Sequence, residues 1–413
     1  MRPTRLSLPR LLRSAALLLG LVTQPFLGAD SPGFGQPPRS HLGFPGPENA
    51  SATSVSPPRV SVTRQLSKYD ARLEPLIARV MREEKIPGFA IGIVEDDRVV
   101  YSRGFGEMKL GDPKQPVTPD TLFHMASITK PFVATALVQL VEQGKVNLDA
   151  PVTKYVPYFR LKDDRYKNIT VRHMVTHTSG MPDVKDYLWN KPEYDDGSLE
   201  RYVRSLDDKM LLWPPGQKFR YSNMAFEVLG DLVAKVSGVS FDDYVETNVL
   251  KPVGMKSSTL LYKNADPAKL ARGYTKRNGV VVPVAHYPYN RAHTPSSNLH
   301  SNVEDMTRWI RVNVNRGELD GRRILKASTY DVLWKPGVPV PERDWHVGIS
   351  WFLAEVQGQQ IVMHSGGDDG FTTHLALLPA RKAGVVMMFN CDHISSIKKI
   401  WEAALGVPPP FKK

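Results

Sequence analysis

The stretch Thr121-Leu-Phe-His-Met-Ala-Ser127-Ile-Thr-Lys130-Pro-Phe-Val-Ala134 sets a serine and a lysine three residues apart at the front of an apolar, helix-forming run. Positions i and i+3 of a helix share a face, so the Ser127 hydroxyl and the Lys130 amine can meet. A serine hydroxyl becomes an effective nucleophile when a neighbouring base takes its proton. Lysine is that base only if its pKa falls from about 10.4, where fewer than about one amine in a thousand is neutral at pH 7. Burial and nearby positive charge lower it by roughly 2–3 units. A place near a helix N-terminus adds backbone N–H groups and the positive dipole end. Spacing alone is weak evidence, because Ser-x-x-Lys recurs at Ser395 and Ser396.

Working outward, 413 residues can bury a large core, and 41% hydrophobic with 23% charged residues is ordinary for a soluble globular protein. The net charge of +12 includes Arg2, Arg5, Arg10 and Arg13 of a predicted export signal, which leaves +8 beyond it. Those charges are scattered, with no basic-aromatic strip, which argues against nucleic acid as a partner. A single cysteine, Cys391, excludes an intramolecular disulfide and a cysteine-based metal cluster, and its apolar neighbours read as a buried structural thiol.

Residues 1–29 read as a signal peptide, with arginines, an apolar Ala15–Val22 and small residues ending at Ala29. The expected location is therefore exported, periplasmic or secreted. The apolar segment is too short to span a bilayer, and no later stretch qualifies. Residues 30–58 hold seven prolines and four glycines and read as a disordered linker. Asn49-Ala-Ser51 and Asn168-Ile-Thr170 are sequons that matter only on a eukaryotic secretory route. Residues 59–409 read as one folded domain.

Within it, residues 67–86 carry helical periodicity, and Gly88–Ile93 and Arg98–Tyr101 read as strands of a hairpin around Glu95-Asp96-Asp97. The Ser127 helix is expected to continue through Val133–Gln143. Residues 140–330, roughly, read as a helical insertion, with helices at Ser198–Met210, Ala225–Ser237, Phe241–Val249 and Val303–Arg316. The β pattern returns at Val347–Leu353, Gln360–His364, Thr372–Pro379 and Gly384–Asn390, before a helix over Ser395–Leu405. The pattern predicts an α+β fold, an antiparallel sheet flanked by N- and C-terminal helices and interrupted by a mainly helical domain. The crevice between the two parts is the expected place for a pocket.

Two further motifs lie downstream. Trp213-Pro-Pro-Gly216-Gln-Lys-Phe-Arg-Tyr221-Ser222-Asn223 is a loop entering a helix; a phenol beside a lysine can shuttle protons, and an amide such as Asn223 can donate to a substrate carbonyl. Val362-Met-His364-Ser365-Gly366-Gly367 ends a β run, where glycines admit close approach and free N–H groups can stabilise an oxyanion. Tyr-x-Asn also occurs at Tyr166 and Tyr262, and paired glycines suit any turn. What is informative is the ordered set of three.

With these motifs the chain resembles the penicillin-recognising serine hydrolases: class C β-lactamases, D-alanyl-D-alanine carboxypeptidases and related esterases. The resemblance runs over about residues 65–405 and includes Ile169-Thr-Val-Arg-His-Met-Val-Thr-His-Thr-Ser-Gly-Met-Pro182, Phe219-Arg-Tyr-Ser-Asn-Met-Ala-Phe226, Lys251-Pro-Val-Gly-Met255 and His364-Ser-Gly-Gly367. It implies a β-lactamase/transpeptidase-like fold, Ser127 as acylated nucleophile, Lys130 as its base partner and Tyr221 as proton shuttle. It implies Asn223, His364, Ser365, Gly366 and Gly367 as substrate-binding residues, with the Ser127 and Gly367 N–H groups as oxyanion hole. His364-Ser365-Gly366 stands where lactamase members carry Lys-Thr-Gly. A largely neutral histidine binds a β-lactam carboxylate less well than an ammonium, which argues against strong β-lactamase activity. A second departure is Pro295-Ser-Ser-Asn-Leu-His-Ser-Asn302, where relatives tend to be glycine-rich.

The expected function is an exported serine hydrolase working through a Ser127 acyl-enzyme on a D-Ala-D-Ala-type peptide, an ester or a β-lactam. A carboxylesterase without penicillin recognition and a catalytically silent scaffold are the alternatives. No metal or organic cofactor is expected: His173 and His177 are four apart but lack the Glu of His-Glu-x-x-His. A Gly-x-Ser-x-Gly elbow is absent. The expected partner is a small-molecule or peptide substrate; the sequence does not define an oligomeric state.

Overall fold

A computed structural model describes residues 68–111 and 113–410. The predicted signal peptide, linker and first sequon lie outside the described residues. Helix α1 (Lys68–Glu83) leads into β1 (Gly88–Glu95) and β2 (Arg98–Lys109), joined by Asp96 and Asp97, both at positive φ. Two consecutive left-handed residues match the twist of a tight hairpin, and aspartate tolerates that conformation better than most residues. β3 (Gln115–Pro116) pairs with β2. The sheet resumes more than 200 residues later with β4 (Val338–Val340), β5 (Trp345–Val347), β6 (Phe352–Val356), β7 (Gln359–Asp368), β8 (Phe371–Leu378) and β9 (Ala383–Phe389). Its order is β4-β5-β6-β7-β8-β9-β1-β2-β3, antiparallel throughout, so β1 from the start of the domain pairs with β9 from its end.

β1 and β9 are buried on both faces. Phe89, Ile91, Ile93, Val385, Met387 and Phe389 pack outward with α1 and the C-terminal helix α5 (Ile397–Leu405). The opposite face packs on the helices between the two halves of the sheet: α2 (Lys130–Glu142), α3 (Asn223–Ser237) and α4 (Val303–Val314). Gly92 lets α4 lie flat on that face, since a Cβ there would stand 2.6 Å from Thr307 Cγ2 and 2.7 Å from Val303 Cγ1. Phe132 stacks on Trp309 at 3.9 Å between centroids and ties α2 to α4.

Several expected boundaries shift. β2 runs on to Lys109 through Gly104 and Gly106, glycines that mark close backbone approaches rather than the strand's end. The run Val347–Leu353 is two strands: the chain turns at 348–351, with Ser350 at φ 68 and its N–H donating to the Val175 carbonyl. The helix expected over Phe241–Val249 is an α-turn at Phe241–Val245 followed by a π-turn at Glu246–Leu250, and that over Ser198–Met210 tightens after Arg204 into a 3₁₀ turn. Helical periodicity fixes a buried stripe, not the hydrogen-bond register that closes each turn.

Candidate active site

Ser127 does not sit in the α-helix the spacing suggests. It lies on a 3₁₀ turn, Ala126–Thr129, and α2 begins at Lys130 with Pro131 in its first turn. Side chains at i and i+3 eclipse in a 3₁₀ turn, so the change brings serine and lysine closer into line. Ala126 is held at φ 49, a left-handed conformation that costs an alanine about 1–3 kcal/mol. Neighbours hold the strained turn: Thr129 Oγ1 donates to the Ala126 carbonyl at 2.7 Å, Thr373 Oγ1 donates to the Met125 carbonyl at 2.9 Å, and the Met125 N–H donates to Leu299 at 2.8 Å.

Lys130 is wholly buried, yet its Nζ donates to Ser127 Oγ at 3.0 Å and to the Ser296 carbonyl at 2.8 Å. Burial pulls its pKa down to about 8, against the opposing pull of Glu227, Asp368 and Asp183. At that value about one amine in ten is neutral at pH 7, against fewer than one in a thousand for a solvated lysine. Tyr221 neighbours Ser127, and Lys130 Nζ lies 5.0 Å from the centre of its ring. Burial and the same three carboxylates push the phenol pKa far up, so Tyr221 stays protonated.

His364 is buried on β7 and pulled down to about 3 by burial and Lys130. Its Nδ1 is 2.8 Å from the Ser365 carbonyl, which can only accept, so Nδ1 carries the proton. β6 leaves β7 after the Phe352–Met363 pair, so from His364 onward β7 keeps β8 as its strand neighbour while its other edge meets the Ser127 turn. The two glycines there differ. A Cβ on Gly366 would stand 2.3 Å from the Met125 carbonyl oxygen, whereas one on Gly367 would meet open space. Ser365 is exposed, with Oγ 2.8 Å from His374 Nδ1. Asn223 opens α3, its Nδ2 donating to Asp183 at 3.0 and 3.3 Å.

Three side chains outside the three motifs complete the site. His177 stacks on Tyr221 at 4.2 Å and accepts the Ser222 N–H at 3.2 Å through Nδ1; burial keeps it neutral. His173 instead accepts the Thr170 N–H within a capping box, so the two histidines serve separate loops. Glu227, wholly buried, accepts from Ser296 Oγ at 2.5 Å and sits 3.2 Å from His293 Nδ1. Asp368 takes His124 Nε2 at 2.8 Å and the Ser297 hydroxyl. A lone carboxylate inside Met224-Ala-Phe-Glu-Val-Leu229, and the serines of the departing segment 295–302, are the sequence signals that point to them. Cys391 is buried, its thiol pushed up to about 11. Among the described residues no cluster of His, Cys, Asp or Glu could hold a metal, and no helix is long and apolar enough to cross a membrane.

The antiparallel sheet with its inserted helices, and the serine, lysine and tyrosine gathered where the two meet, define the β-lactamase/transpeptidase-like class within the serine hydrolase superfamily. The chain belongs to the Beta-lactamase family, whose model matches residues 73–406. Protein flp of Staphylococcus aureus (strain MW2) is 28% identical over 325 residues, covering 78% of this chain and 63% of that protein. The unguisins hydrolase ungD' of Aspergillus campestris is 28% identical over 349 residues, covering 79% of this chain and 62% of its own length. The chain thus spans less than two thirds of these relatives. The octameric penicillin-binding protein homologue from Pyrococcus abyssi superposes with a TM-score of 0.71 at 29% identity, covering 81% of this chain and 76% of its own. A class C β-lactamase superposes at 0.68 and 23% identity, covering 82% and 94%, a likeness of fold.

Proposed function

We propose that this chain is an exported serine hydrolase that forms an acyl-enzyme on Ser127 with ester or amide substrates. The observation that carries the reading is the wholly buried Lys130, 3.0 Å from Ser127 Oγ and poised near pH 8. Neutral Lys130 takes the Ser127 proton as Oγ attacks the carbonyl carbon. The Ser127 and Gly367 N–H groups receive the oxyanion. As the tetrahedral intermediate collapses, the bond to the leaving group breaks, and Tyr221 passes the leaving group a proton that Lys130 replenishes. Water then attacks the acyl carbon by the same path, giving the acid and free Ser127. Two relatives support the class: one named a hydrolase and one a penicillin-binding protein homologue. Export rests on the pattern of residues 1–29.

Of the three substrate types, ester or neutral amide suits the site better than β-lactam, because neutral His364 replaces the ammonium that would hold a carboxylate. The test is intact mass after incubation with a fluorophosphonate and, separately, a penicillin, on wild type and Ser127→Ala. The expected result is fluorophosphonate labelling lost in the mutant, with little or no penicilloyl adduct. No labelling of the wild type by either reagent would favour a silent scaffold.

A further inference from the structure

Beside the donors of the Ser127 site stand acceptors and carboxylates. His364 spends its proton on the Ser365 carbonyl, so its Nε2 offers a lone pair. Asn223 donates its backbone N–H, at 2.7 Å, and an N–H of its amide to Asp183, which fixes the amide beside that carboxylate. Asp183 and Asp368 are partly exposed at this site, and Glu227 lies behind it. The charges acting on Lys130 are those three carboxylates, and the same three act on Tyr221 and on Tyr187. Tyr187 stacks on Trp189 at 5.2 Å, and both rings are half-buried. Carboxylates beside aromatic faces are the chemistry that recognises an alkylammonium group.

We propose that the leaving-group side of this site selects substrates carrying a cationic amine or N–H donors there and rejects a free carboxylate, with Asp183 and Asp368 as the specificity-determining residues. This narrows the acyl-enzyme reading and rests on it. His124 Nε2 and the Ser297 hydroxyl hold Asp368 in place.

The experiment uses three methylphosphonothioates whose leaving groups are thiocholine, its uncharged carbon isostere and a carboxylate of matched length. The rate of Ser127 phosphonylation is followed by intact mass at a pH of about 8. A fluorophosphonate with no charged leaving group runs in parallel. The cationic reagent is expected to react about tenfold faster than the isostere, and the anionic one about tenfold slower, with the spread shrinking in high salt. Asp183→Asn and Asp368→Asn are each expected to narrow the cation-to-anion ratio several-fold, whatever they do to absolute rates. If the fluorophosphonate labels Ser127 but the anionic reagent matches or beats the cationic one, the selectivity proposal is overturned and the acyl-enzyme reading stands. If the fluorophosphonate fails to label Ser127, that reading falls and the proposal falls with it.

Discussion

The chain writes the same spacing at Ser127-x-x-Lys130 and again at Ser395-x-x-Lys398 and Ser396-x-x-Lys399, and the two regions do different things with it. At the first, lysine is driven into the interior and its Nζ meets the serine at 3.0 Å. At the second, Ser395 Oγ and the Ser395 and Ser396 N–H groups all donate to Glu84, just beyond α1, at 2.7–2.9 Å, while Lys399 is exposed. Those serines fasten the start of α5 to the end of α1. The lesson is that spacing supplies proximity, whereas reactivity comes from removing water around one partner.

The contrast breaks most sharply at the lysines. Lys130→Met is expected to lower kcat/KM about 10³-fold with the thermal transition retained, whereas Lys398→Met leaves the rate unchanged. Equal losses from both would mean that burial of the amine is not what separates the two regions.

The glycines of β7 come next. Gly366→Ala forces a Cβ onto the Met125 carbonyl and displaces the Ser127 turn, with an expected loss of about 10²-fold in kcat. Gly367→Ala points into open space and is expected to cost far less. Steady-state rates of the two variants, side by side, check whether the turn or the rim demands the glycine.

The pH profile is subtler. In the proposed mechanism Lys130 acts once it has lost its proton, so kcat/KM is expected to rise with pH and level off above about 8. Glu227 favours the charged ammonium, so Glu227→Gln is expected to move that limb to lower pH, by roughly one unit. A limb that stays in place would show that Glu227 holds Ser296 without acting on the charge. The smallest effect belongs to Ser395→Ala: no change in rate, and stability within about 0.5 kcal/mol by denaturant melt.

Much of this architecture is legible in the sequence. Alternation and helical periodicity place the hairpin at Asp96 and Asp97, the strands on either side of the insertion, and α1 and α5. The ordered trio of Ser127, Tyr221 and His364 marks the site. Less legible are Glu227, which reads as a misplaced acid in an apolar helix, and His177, which with His173 reads as a histidine holding a loop through hydrogen bonds and not as a partner of Tyr221. Each acts through residues between 45 and 69 positions away, Ser222 in one case and Ser296 in the other.

The sequence by itself determined most of the elements and which side chains are candidates for reactive chemistry, because periodicity and motif spacing are local properties of the chain. Only the tertiary structure decided which serine–lysine pair is dry, that Ser127 stands on a strained 3₁₀ turn, and that Asn223 is tied to Asp183. Those outcomes depend on desolvation and on partners brought from distant segments, and neither is written in the spacing of any one motif.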